Sequence, residues 1–123
     1  MDPFTIRRLE KLLDGYIDLK VPREVRSSVR LRYEWDDNRL TLSEERPDYG
    51  GRQWTRAAIA QFRLERGMWS VYALDDGGGW SPVSSIAPCP DFENQLERVE
   101  LDREGVFWTS PAFIKEFFEH EQK

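Results

Sequence analysis

The chain has 123 residues, of which 39% are hydrophobic, and its formal net charge is -5. This length gives room for one hydrophobic core, so we interpret residues 1–123 as a single domain. The acidic charge makes non-specific binding to nucleic acid a poor starting hypothesis, and the single cysteine excludes an intramolecular disulfide and a thiolate metal cage.

The first predicted element is an amphipathic helix at the N-terminus. Asp2 is a capping residue, and Pro3 follows it at the position where proline favours the start of a helix. Apolar residues then recur at helical spacing, at Phe4, Ile6, Leu9, Leu12, Leu13, Tyr16 and Ile17. Charged residues occupy the opposite side, so we expect the apolar side to dock on another element.

The middle of the chain predicts an antiparallel β-meander of about five strands. Residues 29–35 alternate between apolar and polar, Asp36-Asp37-Asn38 is typical of a turn, and Leu40 and Leu42 resume the alternation. A loop is expected at 47–51 because of its proline and two glycines. Three further strands are predicted near residues 57–65, 68–74 and 80–84, with Gly67 in the tight turn between the first two of them.

The strand predicted at 68–74 is apolar on both of its faces. A strand of an antiparallel sheet that is covered on one face only is expected to alternate instead. Either the terminal helices lie on opposite faces of the sheet, or a second subunit covers one face. We therefore predict that the protein partner is a second copy or another protein, with a homodimer as the specific expectation.

Two helices are predicted after the sheet. Asp91 is a suitable cap for a short helix, and Ser110-Pro111 repeats the cap-then-proline start for a last one. Their apolar sides contain Phe92, Leu96 and Val99, and Phe113, Ile114, Phe117 and Phe118. The predicted fold class is thus α+β, with an N-terminal helix, a five-stranded antiparallel meander and two C-terminal helices.

Residue types that support catalysis are scarce. The one histidine, His120, is close to the chain end, and Cys89 has no cationic neighbour in sequence that would lower its pKa. We therefore assign no catalytic residue, no cofactor and no metal ligand, and favour a non-catalytic protein. Carboxylates near Glu34 and Glu44 leave a metal-dependent hydrolase or nuclease as one alternative.

Two compositional features bear on partners and location. Basic residues between Lys20 and Arg32, followed by Tyr33 and Trp35, leave a nucleic-acid-associated role as a second alternative. Tyr33 and Trp35 share the parity of Val29 and Leu31, however, which places them towards the core. No apolar signal core and no run as long as a membrane span is present, so we expect a cytoplasmic protein with no membrane partner.

The segment Glu44-Glu45-Arg46-Pro47 is the feature that most needs an explanation. Glu44 and Arg46 share the parity of Leu40 and Leu42, so they are expected on the apolar face as a pair. Arg63 on the neighbouring strand is a candidate third member. The alternatives are an ion pair that closes the sheet edge and a ligand site. The binding residues predicted are Glu44, Arg46, Arg63, Trp54, Trp69, Trp80 and Trp108.

An ordered set of short motifs resembles a known bacterial family. The set consists of Glu44-x-Arg46-Pro47, Ile59-Ala60, Phe62-Arg63, Trp69 with Tyr72, Trp80, and Asp102…Gly105-x-Phe107-Trp108. It is similar to the family named domain of unknown function 3024, over about residues 40–108 and more loosely in the N-terminal helix. That family implies no activity or ligand, so the leading interpretation is a non-catalytic binding or protein-interaction module.

Overall fold

The structure is a computed structural model that describes residues 1–110. Its elements are helix α1 (Pro3–Lys20), strands β1 (Arg30–Asp36), β2 (Arg39–Pro47), β3 (Trp54–Glu65), β4 (Met68–Leu74) and β5 (Trp80–Pro82), and helix α2 (Phe92–Leu101). The strands form one antiparallel sheet in the order β1-β2-β3-β4-β5. The α+β class and the five-stranded meander are confirmed. Among the described residues one helix, α2, follows the sheet, and the second predicted C-terminal helix lies outside them.

Helix α1 begins as its sequence predicts. The Asp2 carboxylate accepts the backbone N–H of Thr5 at 2.9 Å, and Pro3 occupies the first turn, where its missing N–H has no helical partner to lose. The hydrogen bond from Thr5 lowers the pKa of Asp2. Leu9 and Leu13 are buried, so the apolar side of the helix docks on the core as expected.

The meander turns follow local chemistry. Asp37, at φ 56°, forms the β1–β2 turn, and Arg66 and Gly67, at φ 53° and 75°, form the β3–β4 turn. Two consecutive positive φ angles match the twist of a hairpin, and glycine adopts them without strain. Strand β3 begins three residues earlier than predicted, because the Asp48 N–H donates to Gln53 O at 2.7 Å and extends the hairpin with β2.

Both described helices cover the same face of the sheet, which we call the covered face. Phe92 of α2 packs on Phe62 and Trp69, with ring centroids 4.9 and 5.1 Å apart. On the α1 side, the Tyr33 hydroxyl donates to Asp14 at 2.9 Å. Of the two alternatives for the strand that is apolar on both faces, helices on opposite faces is therefore not met by α1 and α2, and the last predicted helix lies outside the described residues.

The opposite face, which we call the open face, is covered by long side chains instead of a helix. The Arg63 guanidinium lies 3.8 Å from the centre of the Tyr72 ring, which explains how an aromatic residue of β4 is accommodated there. The apolar residues of β4 therefore do not require a second subunit for cover at Tyr72. The homodimer stays a prediction.

Strand β3 has two different halves. Its residues 61–65 pair with β4, while its residues 54–60 have a strand neighbour only in β2 among the described residues. A β-bulge lies at Ile59, since Leu42 pairs with Ala60 and Ser43 with Ala58. Within residues 1–110, residues 54–60 therefore form a sheet edge with no further strand beside it, which we call the free half of β3, and the candidate site lies next to it.

Candidate functional site

Glu44 and Arg46 lie on the covered face, as their parity predicts. Glu44 pairs across the strands with Leu31 and Ala57, and it is only 7% exposed. The Arg46 Nε lies 3.7 Å from Glu44 Oε1, and Arg46 Nη2 donates a hydrogen bond to Ser110 Oγ. The predicted ion pair is present, and Arg46 is also hydrogen-bonded to the segment that follows α2.

Part of this pair has no hydrogen-bond partner. Glu44 Oε2 and Arg46 Nε are buried atoms without a partner in the part of the chain that the structure describes. An unsatisfied buried donor or acceptor typically costs about 1–3 kcal/mol, and more when it is charged. Such groups are rare in native proteins and often mark a functional position.

The pair borders an open cleft of about 340 Å³ between the free half of β3 and the chain after α2. Its lining residues are Glu44, Arg46, Ala57, Ala58, Ile59, Phe107, Trp108, Thr109 and Ser110. Apart from the ion pair, the walls are mostly apolar or aromatic. A few polar groups in an otherwise apolar cleft is the usual composition of a binding site.

Asp102 builds the aromatic wall of the cleft. Its carboxylate accepts backbone N–H groups from Val106 at 2.8 Å, Phe107 at 3.2 Å and Trp108 at 3.0 Å. Asp102 itself ends α2 at φ 45°, and Gly105, at φ 68°, completes the turn. The motif Asp102…Gly105-x-Phe107-Trp108 is thus a capping turn that fixes the position of two aromatic side chains.

A cluster of polar groups from α1 and α2 contacts Trp108. The Trp108 indole N–H donates to Val99 O at 2.9 Å, and Lys20 Nζ lies 4.3 Å from the centre of the ring. Lys20 is also 2.8 Å from Glu100, which accepts the Tyr16 hydroxyl at 2.7 Å. Burial and this hydrogen bond raise the pKa of Tyr16. The cluster joins α1 to α2, and sequence reasoning missed it because its members are about 80 residues apart.

The structure does not bring Arg63 to the Glu44–Arg46 pair. Arg63 lies on the open face, where its Nε donates to Gln61 Oε1 at 2.7 Å and its guanidinium covers Tyr72. The prediction of a three-membered cluster is wrong because Glu44 and Arg46 share a parity with Phe62, the residue before Arg63.

Only one of the four predicted tryptophans lies at the cleft. Trp108 lines it, whereas Trp69 is buried in the core against Phe92. Trp54 and Trp80 belong to the open face, and the Arg30 guanidinium stacks 3.7 Å above the Trp54 ring. The predicted residues therefore divide into a cleft group, a core residue and an open-face group.

A charge network on the open face was also missed. Arg56 pairs with Glu45 at 3.0 Å and with Glu34, and Arg32 lies 3.7 Å from Glu45. Glu45 is buried beneath these arginines. Alternation predicts that Glu45 faces away from Glu44, but only the pairing of β2 with β1 and β3 shows which arginines meet it.

The sequence also raised a metal site, His120, Cys89 and a membrane span as features to examine. Across residues 1–110 no group of three or more His, Cys, Asp or Glu side chains is arranged as metal ligands. His120 lies outside that range. The Cys89 thiol is half-buried, and its sulfur accepts hydrogen bonds from Asp91 N and Asn94 Nδ2. No helix in this part of the chain is long and apolar enough to cross a membrane.

Together, these features define an α+β fold with one helix-covered sheet face and, beside the free half of β3, a mostly apolar cleft that contains one ion pair. The chain belongs to the family described as domain of unknown function (DUF3024), whose model matches residues 1–109. The family resemblance is therefore confirmed over residues 40–108, and the match also includes α1, to which the resemblance extends more loosely. Neither a curated protein nor a solved structure matches the chain.

Proposed function

We propose that the protein is a non-catalytic interaction module whose cleft recognises a neutral polar group, of the carboxamide type, on an extended polypeptide segment. The Glu44–Arg46 pair carries this proposal. Glu44 Oε2 needs a donor and Arg46 Nε needs an acceptor, and the two side chains are neighbours. A carboxamide carries an N–H donor and a C=O acceptor side by side, so one group satisfies both.

The charge balance of the site favours a neutral ligand. Glu44 and Arg46 neutralise each other across 3.7 Å, so an anion or a cation would have to compete with a partner that is already in place. A carboxamide meets the unsatisfied atoms without removing that pairing. Both residues line the cleft, and the Arg46 side chain is 34% exposed.

The shape of the cleft suits a side chain carried on a peptide. Ala57 and Ile59 on one side, and Phe107 and Trp108 on the other, provide apolar contact for the methylene groups of a glutamine or asparagine. The free half of β3 runs along the same cleft, so the backbone of such a segment has a place beside it.

A titration with small probes tests this function. In ¹⁵N-labelled protein, N-acetyl-glutamine dimethylamide should shift the Arg46 Nε–H and Trp108 indole N–H resonances at about 1 mM probe. N-acetyl-glutamate dimethylamide and N-acetyl-norleucine dimethylamide should shift them less, because the first replaces the side-chain carboxamide with a charge and the second has no primary carboxamide. Glu44→Gln should abolish the preference, while Arg39→Gln, which alters an exposed residue of β2 with the opposite parity, serves as the matched control.

A second candidate function, association with nucleic acid, is supported by aromatic and arginine side chains on the open face. Arg30 stacks on Trp54 and Arg63 on Tyr72, and bases stack on both kinds of surface. These are not the aromatics considered from the sequence, since Tyr33 and Trp35 lie on the covered face. Salt-sensitive retention on heparin, lost in Arg30→Gln, would support this role, and flow-through at low salt would count against it.

A further inference from the structure

We propose that the segment bound by the cleft is β3 of a second copy, paired antiparallel with β3 about a two-fold axis at Thr55, so that Gln53 of each copy enters the other copy's cleft. This inference rests on the proposed function and names its polypeptide. Each copy would supply one residue that completes the site of the other, which gives the interface a closed two-fold symmetry.

The hydrogen-bonding pattern of β3 shows which of its backbone groups are free. Asp48 N–H donates to Gln53 O, so these two residues form a hydrogen-bonded pair of the β2–β3 hairpin. Such pairs alternate along antiparallel strands, so Thr55 and Ala57 also bond to β2. Trp54, Arg56 and Ala58 therefore direct their N–H and C=O groups away from β2, towards the free edge.

A two-fold axis at Thr55 uses these free groups. It places Trp54 of each copy opposite Arg56 of the other copy, which gives two such pairs. In each pair, both residues direct their backbone N–H and C=O groups towards the other copy. Four backbone hydrogen bonds then join the copies. The two Thr55 side chains face each other, and Trp54 faces a guanidinium; threonine pairs and aromatic–cation pairs are both favourable across strands.

The same axis sets Gln53 of one copy opposite Ala57 of the other. Ala57 and Glu44 are paired neighbours on the covered face, and Ala57 carries only a methyl group. The backbone of the second copy's β3 lies two strand spacings, about 10 Å, from β2. The side chains of Gln53 and Glu44 are both long, so they span this distance by meeting above Ala57. Gln53 is exposed and carries the carboxamide that the Glu44–Arg46 pair requires.

Other axis positions fit less well. An axis at Arg56 places two guanidinium groups directly opposite each other, and like charges in that position destabilise a sheet. An axis at Ala57 brings two methyl groups together and leaves Glu44 Oε2 and Arg46 Nε unsatisfied. The two outer edges of the described sheet, on β1 and β5, do not border this cleft. The contact at Thr55 is short, so we expect a weak dimer, with a dissociation constant of about 10–100 µM.

Cysteine cross-linking tests the axis directly. In the full chain with Cys89→Ser, Thr55→Cys places two cysteines opposite each other, at Cα separations of about 4.4–6.8 Å that a disulfide requires. Mild oxidation should therefore give a covalent dimer with Thr55→Cys and little with Ala57→Cys. Strong cross-linking of Ala57→Cys and none of Thr55→Cys would overturn the proposal.

Analytical sedimentation of the full chain measures the monomer–dimer equilibrium and is the second test. Gln53→Ala should weaken the dimer by about tenfold, equivalent to about 1.4 kcal/mol, while Arg52→Ala, at a neighbouring exposed residue, should leave it unchanged. A chain that stays monomeric at about 1 mM would overturn the dimer. The carboxamide titration on Gln53→Ala then separates the two ideas, since probe binding there preserves the proposed function even when the dimer is absent.

Discussion

Arg46 Nε lies 3.7 Å from Glu44 Oε1, yet Arg46 Nε and Glu44 Oε2 have no hydrogen-bond partner among the described residues. The sheet brings the charges together because both residues continue the buried parity of Leu40 and Leu42. A buried ion pair of this kind is weak evidence for stability, since desolvation offsets much of the attraction. Its position at an open cleft beside a free strand edge is what favours a binding role.

The two members of the pair should differ in their effect on stability. Arg46→Met leaves the buried Glu44 carboxylate unpaired and should lower the free energy of unfolding by about 3–5 kcal/mol. Glu44→Gln leaves a guanidinium that is one-third exposed and still bonded to Ser110, so about 1–3 kcal/mol is expected. Urea unfolding of the double variant should recover part of the loss. Single variants as stable as wild type would show that the pair faces solvent.

Asp102 should be important for stability because of its position in the turn. Asp102→Ala removes the acceptor of three backbone N–H groups and replaces a residue that tolerates φ 45°, so a loss of about 2–4 kcal/mol is expected. Asp102→Asn keeps one acceptor and the tolerance of this conformation, and should cost less. Asp91→Ala, which removes only the N-cap of α2, is the matched control, at about 1 kcal/mol. Equal losses in Asp91→Ala and Asp102→Ala would contradict this role.

Amide hydrogen exchange should show an alternating pattern in the free half of β3. In dilute protein, the amides of Thr55 and Ala57 should exchange slowly because they bond to β2, while those of Arg56 and Ala58 should exchange quickly. At high protein concentration, Arg56 should become protected if β3 pairs with a second copy. Slow exchange of Arg56 in dilute protein would show that its N–H is already bonded.

Alkaline pH should weaken the contact between β1 and α1. Burial and the hydrogen bond to Asp14 raise the pKa of Tyr33 to about 12, from an ordinary value of 10.0. The unfolded chain releases this proton first, so the folded state holds more protons between these values, and stability falls as pH rises from 10 to 12. The contribution of Tyr33 is fully present below pH 10.

Melting curves of Tyr33→Phe and wild type should therefore converge as the pH increases through this window. The phenylalanine variant lacks the bond to Asp14 at every pH, so its own loss between pH 10 and 12 should be smaller. Asp14→Asn removes the anionic acceptor and should lower the spectrophotometric pKa of Tyr33. A difference between the curves that stays constant across the window would contradict the assignment.

Most of the fold follows from patterns within a few residues. The Asp2-Pro3 start, the alternation along β1 and β2 and the Arg66-Gly67 turn are local, and each is confirmed. The burial of Glu44 also followed from parity. Placement of α1 and α2 on one face did not, because an apolar residue at Tyr72 is covered equally well by a helix or by the Arg63 side chain.

The parts of the site that depend on distant pairing were not predictable. Asp102 reads as a turn residue, but its three bonds to the following backbone appear only when the chain folds back after α2. The adjacency of its strand predicts Arg63 beside the pair, but the order of side chains along β3 places it on the other face. The pairing of β3 with β4 ends at Gln61, which leaves residues 54–60 with one strand neighbour in the described part of the chain, and the sequence has no clear signal for this end.

A crystal structure of the protein with N-acetyl-glutamine dimethylamide tests the central claim most directly. The account predicts that the probe occupies the cleft with its side-chain amide nitrogen within hydrogen-bond distance of Glu44 Oε2 and its side-chain amide oxygen within that distance of Arg46 Nε. The norleucine analogue should leave the cleft without ordered ligand. A probe bound elsewhere, or a cleft in which Glu44 and Arg46 are satisfied by ordered water in the presence of saturating probe, would contradict it.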